Sequence, residues 1–141
     1  MPASAIAAYF NVAGIADTEV QKCFYELRRS IDQKGRPSSI TQGGTITVEI
    51  VSSDTDSTLA DWMANSYKEA DGEIKFLDEK KSTLKEIKFQ KARCVSFSER
   101  FDKTPDPSYP ERPSMTLTLT ISAEKINFSG AEHDNKWDDK A

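Results

Sequence analysis

Met115-Thr116-Leu117-Thr118-Leu119-Thr120-Ile121 decides how this chain is read. Successive side chains of a β-strand point to opposite faces. The stretch therefore lays Met115, Leu117, Leu119 and Ile121 on a core and turns Thr116, Thr118 and Thr120 outward. Such alternation marks an antiparallel sheet with one covered face. Residues 45–50 repeat it, with Ile46, Val48 and Ile50 opposed to Thr45, Thr47 and Glu49. Residues 73–76 and 85–89 do the same, with Ile74/Phe76 and Ile87/Phe89 inward. Cys23, Tyr25 and Leu27 mark another strand. Residues 5–12 and the Ile126/Phe128 pair predict two more.

The pattern slips between Lys91 and Val95. Ala92 and Cys94 take the parity opposite to Ile87 and Phe89, and Val95 and Phe97 restore it. A plain one-residue shift would turn every later side chain to the wrong face, so a bulge or a sheet-to-sheet bend is expected. Small barrels turn corners in this way. One segment has helical period: Leu59, Trp62, Met63, Ser66 and Tyr67 form a stripe. Ser57 or Asp56 can cap its start, Asp54 and Asp56 favour the positive end of its dipole, and Asp71-Gly72 predicts the exit turn. The stripe is read as core, plugging an open side or end of the barrel. Residues 31–44 form a connection long enough to suggest a role of its own. Residues 103–114 carry Pro105, Pro107, Pro110 and Pro113 and read as an exposed excursion between two strands.

At 141 residues the chain is expected to form one domain, 1–141. A domain near that size buries roughly 68–70% of its unfolded surface and needs no staple. A net charge of −4 argues against a nucleic-acid partner, which requires a clustered positive field. No apolar run approaches the ~20 residues of a membrane-spanning helix, so no membrane insertion is expected. Residues 3–12 are interrupted by Tyr9 and Asn11, and the first cation is Lys22, so no signal peptide is read. The expectation is a protein folded in the cytoplasm, whose export would need a dedicated machine. Cys23 and Cys94 then read as small, buried, reduced side chains.

Residues suited to catalysis are not arranged for it. Glu132, His133 and Asp134 are adjacent, and neighbours on a strand diverge, so they do not make a metal site. Ser129-Gly130 lacks the G-x-S-x-G frame. Residues 35–39 lack the phosphate-loop spacing and precede a strand rather than a helix. Asp78-Glu79-Lys80-Lys81 reads as a solvated turn. No cofactor, metal or enzymatic activity is expected. Arg28, Arg29, Lys34 and Arg36 form the one local cationic cluster, either a plain exposed loop or a surface for an acidic patch on a partner protomer.

Two stretches carry a resemblance. One is Asp32-Gln33-Lys34-Gly35-Arg36-Pro37-Ser38-Ser39, leading into Gly43-Gly44-Thr45. The other runs from Met115 through Ser122-Ala123-Glu124-Lys125 to Ala131-Glu132-His133-Asp134-Asn135-Lys136-Trp137. With Leu59-Ala60-Asp61-Trp62-Met63, Gly72-Glu73-Ile74-Lys75-Phe76, Leu84-Lys85-Glu86-Ile87-Lys88-Phe89 and Phe97-Ser98-Glu99-Arg100-Phe101-Asp102 between them, the chain resembles the tube proteins of type VI secretion systems. These form the Hcp or TssD family, and the likeness is to its Bacteroidetes form. It covers nearly the whole chain. It departs in an alanine-rich N-terminus and a longer, proline-rich 103–114.

The resemblance implies a mainly β fold, a compact β-barrel of two packed antiparallel sheets with one short α-helix. It implies hexameric rings stacked into a tube, loaded with effector proteins, capped by a VgrG-like spike, wrapped in a contractile sheath and secreted on firing. It assigns assembly contacts to Lys34, Gly35, Arg36, Pro37, Ser38 and Ser39, with Arg36 as a hydrogen-bond fork and Pro37 as a stiffener. A second set would be Glu132, His133, Asn135 and Trp137, with Trp137 as anchor. The threonine face would line either an inter-subunit seam or the lumen. The alternatives are a small barrel around an apolar ligand, which the large inward side chains oppose, and a phage-type tail tube with the same mechanics.

Overall fold

The computed structural model describes residues 5–12, 17–52, 56–65, 67–103, 108 and 113–137. Asp54, the side chain of Asp56, Ser66, Pro105, Pro107 and Pro110 lie outside the described residues, and with them part of the expected helix cap and the proline excursion.

Among the described residues seven strands and one helix follow in the order β1 (Ala7–Val12), β2 (Thr18–Tyr25), β3 (Thr45–Val51), α1 (Asp56–Ala64), β4 (Ala70–Leu77), β5 (Thr83–Phe101), β6 (Met115–Phe128) and β7 (Ala131–Asp134). All pairings are antiparallel. The strands run β3-β2-β1-β4-β5-β6-β7, and β3 also pairs with β6, which closes six strands into a barrel with β7 attached.

The register divides this barrel into two facing sheets. β2 from Val20, β3, the first half of β6 and the second half of β5 pair as one four-stranded sheet. β1, β4, the first half of β5, the second half of β6 and β7 pair as the other. β5 and β6 belong to both and bend together between them. The opposite corner is a short β1–β2 contact, Tyr9 with Glu19 and Phe10 with Thr18.

Most of the expected inward positions fill the interior, but Met115 at the start of β6 and Leu27, beyond the end of β2, are exposed, and Thr116, expected to face outward, is buried. Ile46, Val48, Ile50, Ile74, Ile87, Phe89, Leu117, Leu119 and Ile121 are buried, joined by Phe10 and Ile126. Phe10 stacks near Phe89 and Tyr25 near Phe128, the latter pair joining the two sheets. Burying each such side chain stabilises the fold by about 1.5–3 kcal/mol before entropy is counted.

The phase slip of β5 resolves into two events. Lys91 adopts φ 53°, and the ladder to β4 shifts between Ala70 and Gly72 beside it. A second shift lies between Cys94 and Ser96 on the β6 side, and Val95 is the extra residue. Val95 is therefore exposed and does not rejoin the core face as the alternation suggested, whereas Phe97 does pack against the core. Ile126 and Phe128 are not a separate strand. They continue β6, whose buried parity changes between Ala123 and Glu124, opposite the Lys91 bend.

Asp71-Gly72 is not a turn either. It lies within β4, where Asp71 Oδ1 accepts the Lys91 backbone N–H at 2.9 Å. The helix buries Leu59 and Trp62, but Met63 and Tyr67 are exposed because α1 ends at Ala64 and only one edge of it meets β5. Trp62 Nε1 donates to the carbonyls of Lys68 and Ala92, both at 3.1 Å, and so ties the helix to the bend.

Gly72 is required by packing. A Cβ there would collide with the Asn11 carbonyl oxygen and stand 2.6 Å from the Phe89 ring. Gly72→Ala is expected to lower stability by about 1–3 kcal/mol, read from the urea unfolding midpoint.

Candidate assembly surfaces

Residues 26–44 form an antiparallel arm between β2 and β3. Arg28 and Gln42 exchange backbone hydrogen bonds of 2.8 and 2.7 Å. Farther out, Ser38 N donates to the Ser30 carbonyl at 2.8 Å, and Ile31 bridges to Pro37. Arg29 Nε donates to Thr41 Oγ1 at 2.8 Å, and Ser30 N to Ser39 Oγ at 2.8 Å.

Asp32 organises the tip. Its Oδ1 accepts the backbone N–H groups of Lys34 and Arg36 at 2.9 and 3.0 Å, and its Oδ2 accepts Arg36 Nε at 2.8 Å. Gly35, at φ 80°, completes the turn. The β4–β5 hairpin repeats the device. Asp78 Oδ1 accepts from Lys80 N and Ser82 N, with Lys81 at φ 62°. These bonds, the Arg36 backbone N–H foremost, hold the Asp32 carboxyl below its ordinary value of 3.8.

Lys34, Gly35, Arg36, Pro37 and Ser38 are exposed, and Ser39 is half-buried. Arg36 commits its Nε to Asp32 yet remains 70% exposed, so the rest of its guanidinium fork faces outward. Leu27, Ile31 and Ile40 are also exposed on the arm, Ile40 by 85%. Ordering from within lowers the entropy lost when such an arm docks.

The C-terminal set lies at the arm's base rather than its tip. β7 takes over beside β6 where β3 leaves it. Asn135 Nδ2 donates to the carbonyls of Gly43 and Ala123 at 2.9 and 3.0 Å, and Asn135 N donates to the Glu124 carbonyl at 2.7 Å. With the amide nitrogen thus fixed, Asn135 Oδ1 is the acceptor and His133 Nε2, 2.8 Å away, carries the hydrogen. Gly44 sits at φ 94°, where a Cβ would stand 2.6 Å from the Ala123 carbonyl oxygen and 2.7 Å from Asn135 Nδ2.

Trp137 N donates to Glu124 Oε2 at 3.0 Å, and its half-buried ring lies 4.9 Å from the Arg93 guanidinium carbon. Tyr67 approaches the same carbon at 5.6 Å, and Glu69 Oε2 lies 3.8 Å from Arg93 Nη2. Asn135 and Trp137 therefore work within the chain, and Glu132 is the exposed member of its set. Asp32, Gly44, Arg93 and Glu124 were not among the expected site residues. The Asp-x-x-Gly spacing and the Gly-Gly before a strand signal the first two. Nothing local signals the others.

The outer face of the four-stranded sheet carries threonine and serine side chains at its centre, with Lys22, Glu49 and the exposed Phe24 toward the β2 edge. Thr47 and Thr120 approach through their hydroxyls at 3.4 Å. Lys22, Cys23, Phe24, Thr47, Glu49 and Thr118 line an open depression of about 420 Å³. Burial pushes the Cys23 thiol up to about 11 and raises that of Cys94, and both cysteines are free. Among the described residues no three His, Cys, Asp or Glu side chains converge as metal ligands. No described helix is long and apolar enough to cross a membrane.

Because the folded Asp32 value is depressed, its contribution to the tip is complete above 3.8 and is lost as the pH falls through the lower folded value. The amide resonances of Lys34 and Arg36 are expected to titrate below pH 3.8 while those of the core strands stay fixed. Asn135→Ala strands two carbonyls and is expected to cost about 2–3 kcal/mol, measured by chemical unfolding.

The family model of the hemolysin coregulated protein Hcp (TssD) matches residues 4–138. Among solved structures, Hcp1 from Flavobacterium johnsoniae is 37% identical with a TM-score of 0.81, over 92% of this chain and 100% of that one. Hcp1 from Salmonella typhimurium shares the fold at 12% identity and a TM-score of 0.68, over 92% of each chain. A chain of the sheath–tube complex of PVC, an extracellular contractile injection system in its extended state, matches at 15% identity and a TM-score of 0.59, over 92% of this chain and 93% of that one. No curated protein matches.

Proposed function

The chain belongs to the Hcp (TssD) family, and from that footing we propose that it is the tube subunit of a type VI secretion system, assembling into hexameric rings that stack. One observation carries the reading: the four-stranded sheet has two open edges. β2 pairs with β3 on one side, and no described strand borders residues 20–25 on the other. β5 pairs with β6, and no described strand borders residues 93–101 on the far side.

The four strands alternate in direction, so β2 and β5 run oppositely. In a ring whose copies all point the same way, the β5 edge of one copy meets the β2 edge of the next in antiparallel sense. Such a contact is heterologous, and it closes when the rotation allows. Open edges are otherwise a liability for a soluble chain.

The sheet's outer face then lines the channel. Thr47, Thr118, Thr120, Ser96 and Ser98 offer hydroxyls of low profile past which effector proteins slide, and Phe24 at the β2 edge is the one large apolar side chain beside them. Glu49 and Lys22 add charges of both signs. The opposite face of the same sheet is filled by large side chains, which leaves no room for a ligand inside the barrel.

In this reading the 141 residues act as one tube unit. It has no catalytic role, and assembly needs neither cofactor nor nucleic acid. The subunit is made in the cytoplasm, joins a VgrG-like spike at the tip and a contractile sheath around it, and leaves the cell with its cargo on firing.

Light scattering on the purified protein is expected to give about six times the 15.8 kDa chain mass, with annular particles in negative stain. Val95, 52% exposed on the β5 edge, is the residue to change. Val95→Arg is expected to keep the β circular dichroism spectrum and reduce the mass to that of one chain. A wild-type protein that stays monomeric at high concentration overturns the reading.

A further inference from the structure

Two neighbouring rows cross the outer face of the four-stranded sheet. One is Phe24–Thr47–Thr120–Ser96, and the other is Lys22–Glu49–Thr118–Ser98. The open depression of about 420 Å³ lies at their β2 end. Lys22 stands two residues from Phe24, roughly 7 Å along the strand. Glu49 is the cross-strand partner of Lys22, and such partners hold their Cβ atoms about 5 Å apart. One apolar ring is thus set beside a cation and a carboxylate. Cys23, between Lys22 and Phe24, packs against the core instead.

Phe24 is 63% exposed, and among the described residues it is the one large apolar side chain exposed on this face. Ring closure does not cover it. Both rows end at the β5 edge on serine. Outward side chains meet outward side chains across a seam, so the next copy brings the hydroxyls of Ser96 and Ser98 toward Phe24 and Lys22. These are too short to bury a phenyl ring. Val95, on the β5 edge itself, is covered by the same closure, whereas Phe24 is left facing the channel.

We propose that Phe24, with Lys22 and Glu49 beside it, selects cargo: it receives an aromatic side chain on the surface of an effector protein, with an acidic side chain of that effector against Lys22. The inference rests on the ring reading, which turns this face to the channel, and it names the surface chemistry of the cargo that the channel retains. Ligand pockets enclose most of a free small molecule, and an open depression does not. It accepts one side chain of a body too large to enter. The Phe24 ring favours an aromatic guest through offset stacking, and the Lys22–Glu49 pair orients charged neighbours of that guest. The sites of all copies recur at one level of the ring. Each contact is weak enough to be broken as the cargo moves, and a cargo that meets several at once is held.

The test uses rings of the full chain and fluorescein-labelled peptides read by anisotropy. The first peptide carries a tryptophan and a glutamate two positions apart in a glycine–serine background. The second has alanine in place of the tryptophan, and the third has lysine in place of the glutamate. Wild-type rings are expected to bind the first about tenfold more tightly than the second, the margin of one aromatic pair, and to prefer the first over the third.

Phe24→Ser is expected to keep the ring mass in light scattering and to remove the tryptophan margin. Lys22→Glu is expected to reverse the charge preference, so that the lysine peptide binds better than the glutamate peptide. A wild type that forms no rings defeats the ring reading. With rings intact, the inference is overturned by equal binding of the tryptophan and alanine peptides, by a margin that survives Phe24→Ser, or by a charge preference that Lys22→Glu leaves unchanged. Loss of rings in Phe24→Ser also overturns it, because the side chain is then a contact between copies.

Discussion

The β5–β6 ladder crosses from one sheet to the other, and every packing relation in the molecule follows from how it bends. Lys91 takes a left-handed backbone conformation at the bend, with its N–H held by Asp71. Such a conformation costs an ordinary L-residue about 1 kcal/mol or more, and it persists because the surroundings fix it. Gly72 lets β4 approach Phe89 beside it, and Trp62 anchors the helix on the Ala92 carbonyl one residue on. The bend turns Ala92 and Cys94 inward after Ile87 and Phe89, so both halves of one strand face a common core. The Val95 bulge then resets the parity for Phe97.

The same bend explains the open edges. β4 follows β5 only as far as Ala92, and β1 follows β2 only at Thr18 and Glu19. Beyond those points no described strand borders the four-stranded sheet on either side. A barrel whose wall parts along one sheet keeps a complete hydrophobic core and leaves backbone hydrogen-bonding groups unpaired by any described strand at two edges. Core and edge are thus separate demands met by one deformation.

The C-terminal strand serves the arm. Asn135 holds Gly43 and Ala123 together where β3 begins, and that is where the arm returns to the barrel. The direction in which the arm leaves the sheet is therefore fixed by a residue 92 positions away. Beside it, Arg93 lies between the Tyr67 and Trp137 rings, so helix exit, bent strand and C-terminal segment meet at one guanidinium.

Alternation at residues 45–50, 73–76, 85–89 and 117–121 was enough to identify the strands and their buried faces, because a period of two with one apolar face leaves a single way to sit on a core, whereas at the start of β6 Met115 is exposed and Thr116 buried. The slip after Phe89 announced a bend, and the family likeness of residues 32–39 and 131–137 singled out the arm and the C-terminal segment. Sequence alone could not assign Val95 to the outside, extend β6 through Ile126, or give Asn135 and Trp137 their partners within the chain. Each of these depends on a partner far along the chain: Thr120 and Ile121 for the bulge, Asp134 and His133 for the strand extension, Gly43 and Arg93 for the clasp. Local pattern records which face of a segment is apolar. Which edge stays open is decided only once distant strands have set their register.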